Sequence, residues 1–337
     1  MATYYLAKDK QVELAQIAQT IVTPGKGILV ADESPEFMES RFSSIGIENN
    51  EENRRYYHQL LFQTQECTQY ISAIILCNET FFHKTDDNDT LFPYLLTQIG
   101  IIPGITVDRG LILLAGTNNE TITQGLDNLE ERCRGYKKIG AQFTRWRTLF
   151  KIDAHCPSQL AIDDNASKLA RYASICQQCD LVPIIEIEVS LEGDHDLETC
   201  QHITEKILTT IYKSLNEHHI YLEGTLLQMK IVSSGKNCSK NYSVKQIAEA
   251  TVITLRRTVP TAVPGIIFLV DEYHEENSIL YLNAITRIEL YKPWTLSFCY
   301  GYALQTSVLS VWKGNKTNNE QARKEYIRLL NKMVWLH

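Results

Sequence analysis

Eight short, nearly unbroken apolar runs recur along this chain, each separated from the next by a longer stretch with helical character. They are GILVAD (27–32), ISAIILCN (71–78), GITVD (104–108), QFTRWRTLFKI (142–152), LVPIIEIEV (181–189), GTLLQMKIV (224–232), GIIFLVDE (265–272) and TLSFCYG (295–301). Runs that stay apolar, as opposed to alternating, suit strands covered on both faces, which is the situation of a parallel sheet flanked by helices. No Pro/Ser/Gly-rich linker, repeat or low-complexity segment divides the 337 residues. Eight strand–helix units therefore predict an α/β fold: one (β/α)8 TIM barrel, a parallel eight-stranded barrel with surrounding helices, spanning 1–337 as a single domain. The alternative is a doubly wound sheet. Its GxGxxG signature after the first strand is missing, since PGKGILVADES puts the glycines before the strand.

The clearest helical pattern is ENNEENRRYYHQLLFQT, where Asn49 is placed to cap, Glu52 to reach back three residues later, and Tyr56, Leu60 and Leu61 to supply an apolar face. A second is DLETCQHITEKILTTIYKSLNEHH.

Composition narrows the function classes. With 44% hydrophobic and 22% charged residues the chain is globular, and a formal charge of −7 with no basic run interleaved with aromatics argues against a nucleic-acid partner. The amino terminus is charged and amphipathic, and no run approaches the roughly 18 apolar residues that span a bilayer. A cytoplasmic location is expected, with no membrane partner. Nine cysteines, an odd number scattered through apolar segments, suit reduced buried thiols. Cys176 and Cys179 form a lone CxxC with no second pair to complete a zinc site, so they read as two thiols near a helix end and no metal or cofactor is expected.

In a barrel, chemistry belongs at the carboxyl ends of the strands. Asp32, Glu33 and Ser34 close the first run, Arg145 and Arg147 alternate on the fourth, Glu186 and Glu188 on the fifth, and Lys230 ends the sixth. Residues two apart share a face of a strand, so both pairs are expected to point into the barrel, as an anion-binding site or as a structural ion-pair layer.

The segments GKGILVADES, SIGIENNEENRRYYHQLLF, LAGTNNETITQGLDNLEERC, LARYASICQQ, EGDHDL, HHIYLEGTLL, ATVITLRRTVP, VPGIIFL and CYGYALQTSVL resemble class I fructose-bisphosphate aldolase, from near residue 5 to beyond 310. The resemblance implies the same (β/α)8 fold, a homotetramer, and a reaction in which a lysine on the sixth strand forms a Schiff base with a sugar-phosphate ketone. The protonated imine then takes up the electrons of the breaking carbon–carbon bond. At the position of that lysine stands Gln228, whose amide nitrogen is not a useful nucleophile.

Other positions carry over singly. The resemblance implies that Asp32 matches the strand-one aspartate, Glu186 the acid–base carboxylate, Glu188 its partner, and Arg147 the arginine beside the substrate. Arg145 and Thr106 stand where the family has two further lysines, and Arg145 keeps the charge without readily giving up a proton. In the phosphate pocket Val270, Asp271 and Glu272 replace a serine and glycines, Tyr302 replaces a clamping arginine, and Phe37 replaces a serine. Arg41 and Gly301 are kept, and Ser34 belongs to the same former substrate and phosphate pocket. An acidic group about 4 Å from a phosphate costs about 4 kcal/mol per pair of unit charges at an effective dielectric of 20, so a bisphosphate is expected to bind poorly. Family members also continue past the last helix to a tyrosine that reaches the site, whereas this sequence stops at NKMVWLH.

Lys230 lies two residues beyond Gln228, on the same strand face and roughly 6.6 Å nearer the open end. Two classes of function follow. The first is a noncatalytic relative that assembles as a homo-oligomer, joins active aldolases in hetero-oligomers, or binds cytoskeleton or another protein. The second is an enzyme of the aldolase type, or one acting on a related carbonyl compound, that uses Lys230 as a relocated amine with Glu186 and Asp32. The loss of the family lysine favours the first.

Overall fold

Alternation of apolar runs and amphipathic stretches is realised as a parallel barrel. The computed structural model describes residues 6–269 and 275–334, apart from the side chains of 275–279, 302, 303, 333 and 334. Val270, Asp271 and Glu272, and the side chain of Tyr302, thus lie outside the described residues.

The strands are β1 (Gly27–Ala31), β2 (Ile71–Leu76), β3 (Ile102–Thr106), β4 (Leu111–Leu113), β5 (Thr121–Thr123), β6 (Phe143–Phe150), β7 (Val182–Val189), β8 (Leu226–Met229), β9 (Gly265–Leu269) and β10 (Thr295–Tyr300). The helices are α1 (Lys8–Ile21), α2 (Pro35–Ser44), α3 (Glu51–Phe62), α4 (Asn78–Phe82), α5 (Phe92–Gln98), α6 (Leu129–Lys138), α7 (Gln159–Gln178), α8 (Leu197–Glu217), α9 (Val244–Thr258), α10 (Glu275–Arg287), α11 (Tyr302–Trp312) and α12 (Asn319–Val334). Eight strands close in the order β1-β2-β3-β6-β7-β8-β9-β10 and back to β1, all neighbours parallel. This is the (β/α)8 barrel that the eight runs predict. Among the described residues no helix is long and apolar enough to cross a membrane.

Two packed regions hold the barrel. Outside it, strand residues such as Trp146, Ile185 and Leu227 meet the helices. Inside, Ile28, Ile75, Phe143, Ile184, Leu226 and Ile267 fill the lower half, and Leu14, Ala18 and Ile21 of α1 belong to the same cluster. The inner face turns from apolar to polar or charged along β6, β7 and β8: Phe143 is followed at period two by Arg145 and Arg147, Ile184 by Glu186 and Glu188, and Leu226 by Gln228 and, just past the strand, Lys230. A sealed apolar floor and a polar mouth result, which puts the chemistry-bearing side chains at the carboxyl ends of the strands.

The structure departs from the sequence reading in three places. Asn50, not Asn49, caps α3, accepting a hydrogen bond from the Asn53 amide at 2.9 Å. Asn49 is engaged elsewhere: its amide donates to the Pro35 carbonyl and its oxygen accepts from Arg54. The second departure is the antiparallel β4–β5 hairpin, three residues a side, which carries no long apolar run to announce it. Third, β8 stops at Met229, so Lys230 is the first residue beyond the strand.

Close packing inside the barrel depends on Gly104 of β3. A Cβ there would come within 2.2–2.4 Å of three Phe143 ring carbons. Phe143 is fully buried, so its ring has little room to yield. Gly104→Ala is expected to lower the urea unfolding free energy by about 1–3 kcal/mol; an unchanged midpoint contradicts this packing.

Candidate active site

At mid-height the barrel is crossed by one connected set of charges. Arg147, Glu186 and Gln228 are level across β6, β7 and β8. Arg145 starts one layer lower, level with Ile184 and Leu226, and its guanidinium reaches up. It binds Glu186 through two nitrogens, one of them at 2.9 Å, and binds Asp32 at the end of β1 through a third. The Thr106 hydroxyl donates to the same Asp32 oxygen. Gln228 is fully buried, and its amide nitrogen donates to Glu186 Oε2 at 2.7 Å. Both Glu186 oxygens are therefore occupied. A bidentate arginine–carboxylate pair is among the stronger polar contacts in proteins, and here it fills the level at which the family resemblance places the Schiff-base amine.

A second set lies one step toward the mouth. Glu188 accepts from Arg147 Nε at 2.7 Å and from Lys230 Nζ at 2.7 Å, each on a different carboxylate oxygen. Arg147 also lies 3.8 Å from Glu186, which links the two layers. These groups are more open to solvent, with 24% of the Lys230 side chain and 40% of that of Arg147 exposed, against 1% for Glu186. Asp108, just past β3, accepts from the Arg147 backbone amide at 3.2 Å and from the Gly110 amide at 3.0 Å, so it holds the chain on which Arg147 is mounted.

Burial and charge pull the two glutamates in opposite directions. Burial pushes the Glu186 carboxyl above its ordinary value, with the Arg145 guanidinium the largest opposing influence. Burial also acts upward on Glu188, but Arg147 and Lys230 together outweigh it and hold that carboxyl below its ordinary value. Glu188 is thus the anchored anion of the mouth.

The remaining predicted positions are dispersed. Ser34 caps α2, its hydroxyl accepting from the Phe37 amide at 3.3 Å. Arg41 is buried and its guanidinium binds Glu33 at 2.6 Å. Gly301 directly precedes α11 with a non-helical backbone, and Tyr302 opens that helix. Cys176 and Cys179 are buried and free, with Cys133 Sγ 3.9 Å from Cys176 Sγ. Sequence reasoning missed Asp108 as a support for Arg147. It also missed Lys236 and Lys240, which share a pocket of about 380 Å³ with Lys230. The signal was present in SSGKNCSK, a small-residue loop with two lysines directly after a strand end.

Comparison with known proteins places this geometry. A family profile described as "Fructose-bisphosphate aldolase class-I" matches residues 13–333. Fructose-bisphosphate aldolase C-B of Danio rerio is 52% identical over 324 residues, covering 96% of this chain and 89% of the relative. Fructose-bisphosphate aldolase of Schistosoma mansoni is 52% identical over 326 residues, covering 96% and 90%. Among solved structures, fructose-bisphosphate aldolase from Plasmodium falciparum, in complex with TRAP and a small-molecule inhibitor, superposes with a TM-score of 0.94 at 43% identity, covering 98% of this chain and 96% of that one.

These matches correct the expectation of a noncatalytic protein. Relatives similar over nearly the whole chain carry the name of an enzyme, a carbon–carbon lyase. The expectation rested on Gln228 at the Schiff-base position together with the replaced phosphate-site residues, and the names of the relatives favour the alternative of an active aldolase-type enzyme.

The two glutamates give stability a pH signature. Because its folded pKa is depressed, Glu188 contributes stability that is present above the ordinary glutamate value, about 4.3, and is lost as pH falls through the folded value. Glu186, with a raised folded pKa, acts with the opposite sign: its contribution is present below the ordinary value and is lost as pH rises through the folded one. Glu188→Gln is therefore expected to flatten the loss of thermal stability on acidification below about pH 5. A melting temperature that falls with acid as steeply as in the unaltered chain would count against this assignment.

Proposed function

This chain belongs to the class I fructose-bisphosphate aldolase family, and from that premise we propose that it is a carbon–carbon lyase of the aldolase type whose Schiff-base amine is Lys230. The observation that carries the proposal is the position of Lys230: the first residue beyond β8, two residues past Gln228, with its amine 2.7 Å from the Glu188 carboxylate, in the lining of a pocket. The level below is already filled by Arg145, Glu186, Asp32 and Gln228.

The chemistry then runs through Glu188. The Lys230 ammonium passes a proton along the existing hydrogen bond to Glu188, which holds it only transiently because Arg147 favours its ionised form, and the freed amine attacks the ketone carbon. The protonated Glu188 returns that proton to the carbinolamine oxygen, then takes a second proton from the carbinolamine nitrogen and delivers it to the same oxygen, which leaves as water, and the imine forms carrying one proton and a positive charge. As the bond between the carbon attached to the imine carbon and the hydroxyl-bearing carbon beyond it breaks, Glu188 accepts the proton of that hydroxyl, and the departing fragment leaves as an aldehyde. The bonding electron pair moves into the imine and gives an enamine. Protonation of the enamine carbon by Glu188 and hydrolysis of the resulting imine regenerate the amine.

Arg147 keeps Glu188 ionised and oriented between turnovers. Glu186, enclosed by Arg145 and Gln228, acts as a positioning residue beneath the reacting atoms, in place of the acid–base role that the family resemblance gives it. The substrate is a ketose phosphate or a related carbonyl compound. Its fit differs from the family's, because the phosphate-site serine, glycines and arginine are replaced.

Borohydride reduction in the presence of fructose 1,6-bisphosphate or another ketose phosphate, followed by peptide mass spectrometry, tests the assignment. The expected result is a covalent adduct on the peptide containing Lys230, absent from Lys230→Met. No adduct with any ketose phosphate, or an adduct at another lysine, overturns it.

A further inference from the structure

We infer that the pocket beside Lys230, between the loop after β8 and the end of β9, is a phosphate-monoester subsite, so that recognition of the substrate's anionic group has moved together with the amine. This rests on the reading of Lys230 as the reacting group. The pocket has a volume of about 380 Å³ and includes Lys230, Lys236 and Lys240. Among the described residues that line it, three are lysines and none is a carboxylate. Leu269 and Ile247 supply apolar wall for a short carbon chain, and Ser233 and Ser234 are also in the lining. That combination of modest volume, apolar wall and a few convergent polar groups suits a small ligand.

The loop that carries the two outer lysines is fixed in place. The Gly235 amide donates to the His195 carbonyl at 2.8 Å, the Lys236 amide to the Leu191 carbonyl at 2.8 Å, and the Asn237 amide to the Gly193 carbonyl at 2.9 Å. This zipper brings Gly235 so close to the loop after β7 that a Cβ on it would lie 2.4 Å from the Gly193 carbonyl oxygen. Only glycine permits that approach, and it gives Lys236 a set position before any ligand arrives.

Both outer lysines hold partners that a ligand can replace. Lys236 binds Glu192 at 2.5 Å and Lys240 binds Asp196 at 2.8 Å, with 39% and 61% of the lysine side chains exposed. Exposed pairs of this kind contribute little to folding, so exchanging a surface carboxylate for a doubly charged phosphate inside the pocket is favourable. Glu192 and Asp196 are not among the residues that line the pocket.

Hydroxyacetone and hydroxyacetone phosphate present the same ketone without and with the ester, so calorimetric titration with each isolates the anionic contribution. The intact chain is expected to bind the ester at least about tenfold more tightly. The Lys236→Met/Lys240→Met double variant is expected to lose that preference, to within about twofold, while borohydride still traps hydroxyacetone on Lys230. A preference that persists in the double variant, or that is absent from the intact chain, overturns the subsite. Failure to trap either compound on Lys230 would instead remove the catalytic reading. The binding comparison still decides the subsite in that event, because both substitutions are at exposed positions away from the core.

Discussion

The contact on which the site depends is the grip of Arg145 on two carboxylates from different strands. Its guanidinium binds Glu186 of β7 with two nitrogens and Asp32 beyond β1 with a third, with only 11% of the Arg145 side chain exposed. Ions taken out of water recover their desolvation cost only when nearly every hydrogen-bonding direction is satisfied, and removal of one partner from such a buried pair costs about 3–5 kcal/mol. Gln228 and Thr106 complete the arrangement as neutral donors to the two carboxylates. A lysine at 228 would add a second buried cation beside Arg145. Glutamine satisfies Glu186 without that charge, so the identities at 145 and 228 make sense as a pair.

In the proposed function, closing this layer moves reactivity toward solvent. In the lower layer every charged group is committed, whereas in the upper one Lys230 and Arg147 share Glu188 and remain partly exposed. The pinned loop beyond β8 then places two more lysines around a pocket that Lys230 also lines. Scaffold and chemistry are divided by height: an apolar floor with α1 beneath it, an ion-pair deck, and a mouth with an amine, a carboxylate and a cationic rim. The strand period of two produces this order, because each inward position along β6, β7 and β8 steps from hydrocarbon to charge.

Much of this was legible in the residues themselves. Eight apolar runs announced the barrel, since strands buried on both faces cannot alternate, and the Arg-x-Arg and Glu-x-Glu pairs announced inward charges. The resemblance to class I fructose-bisphosphate aldolase drew attention to Gln228, which composition would never single out. Three-way contacts were not legible: Asp32 and Arg145 are 113 residues apart, and nothing local says that one guanidinium spans both carboxylates. Neither was the cap at Asn50, where two adjacent asparagines compete and the packing of Asn49 against Arg54 and Pro35 decides. The β4–β5 hairpin was hidden because its strands are short and half exposed. Judging catalysis from the replaced residues at the lysine and phosphate positions was the larger error, since relatives similar over nearly the whole chain carry the name of an enzyme.

The account turns on whether an amine displaced by one strand step can still break a carbon–carbon bond. Catalytic geometry is exacting, with about a hundredfold loss in rate for an error near 1 Å, so the pocket must have been rebuilt around Lys230 for this to hold. The decisive measurement is the steady-state rate of aldehyde release from ketose phosphates by the purified chain beside its Lys230→Met variant. The account predicts measurable cleavage by the first and a fall of at least about a hundredfold in kcat for the second. Equal rates from the two, or no cleavage by the unaltered chain, would contradict it.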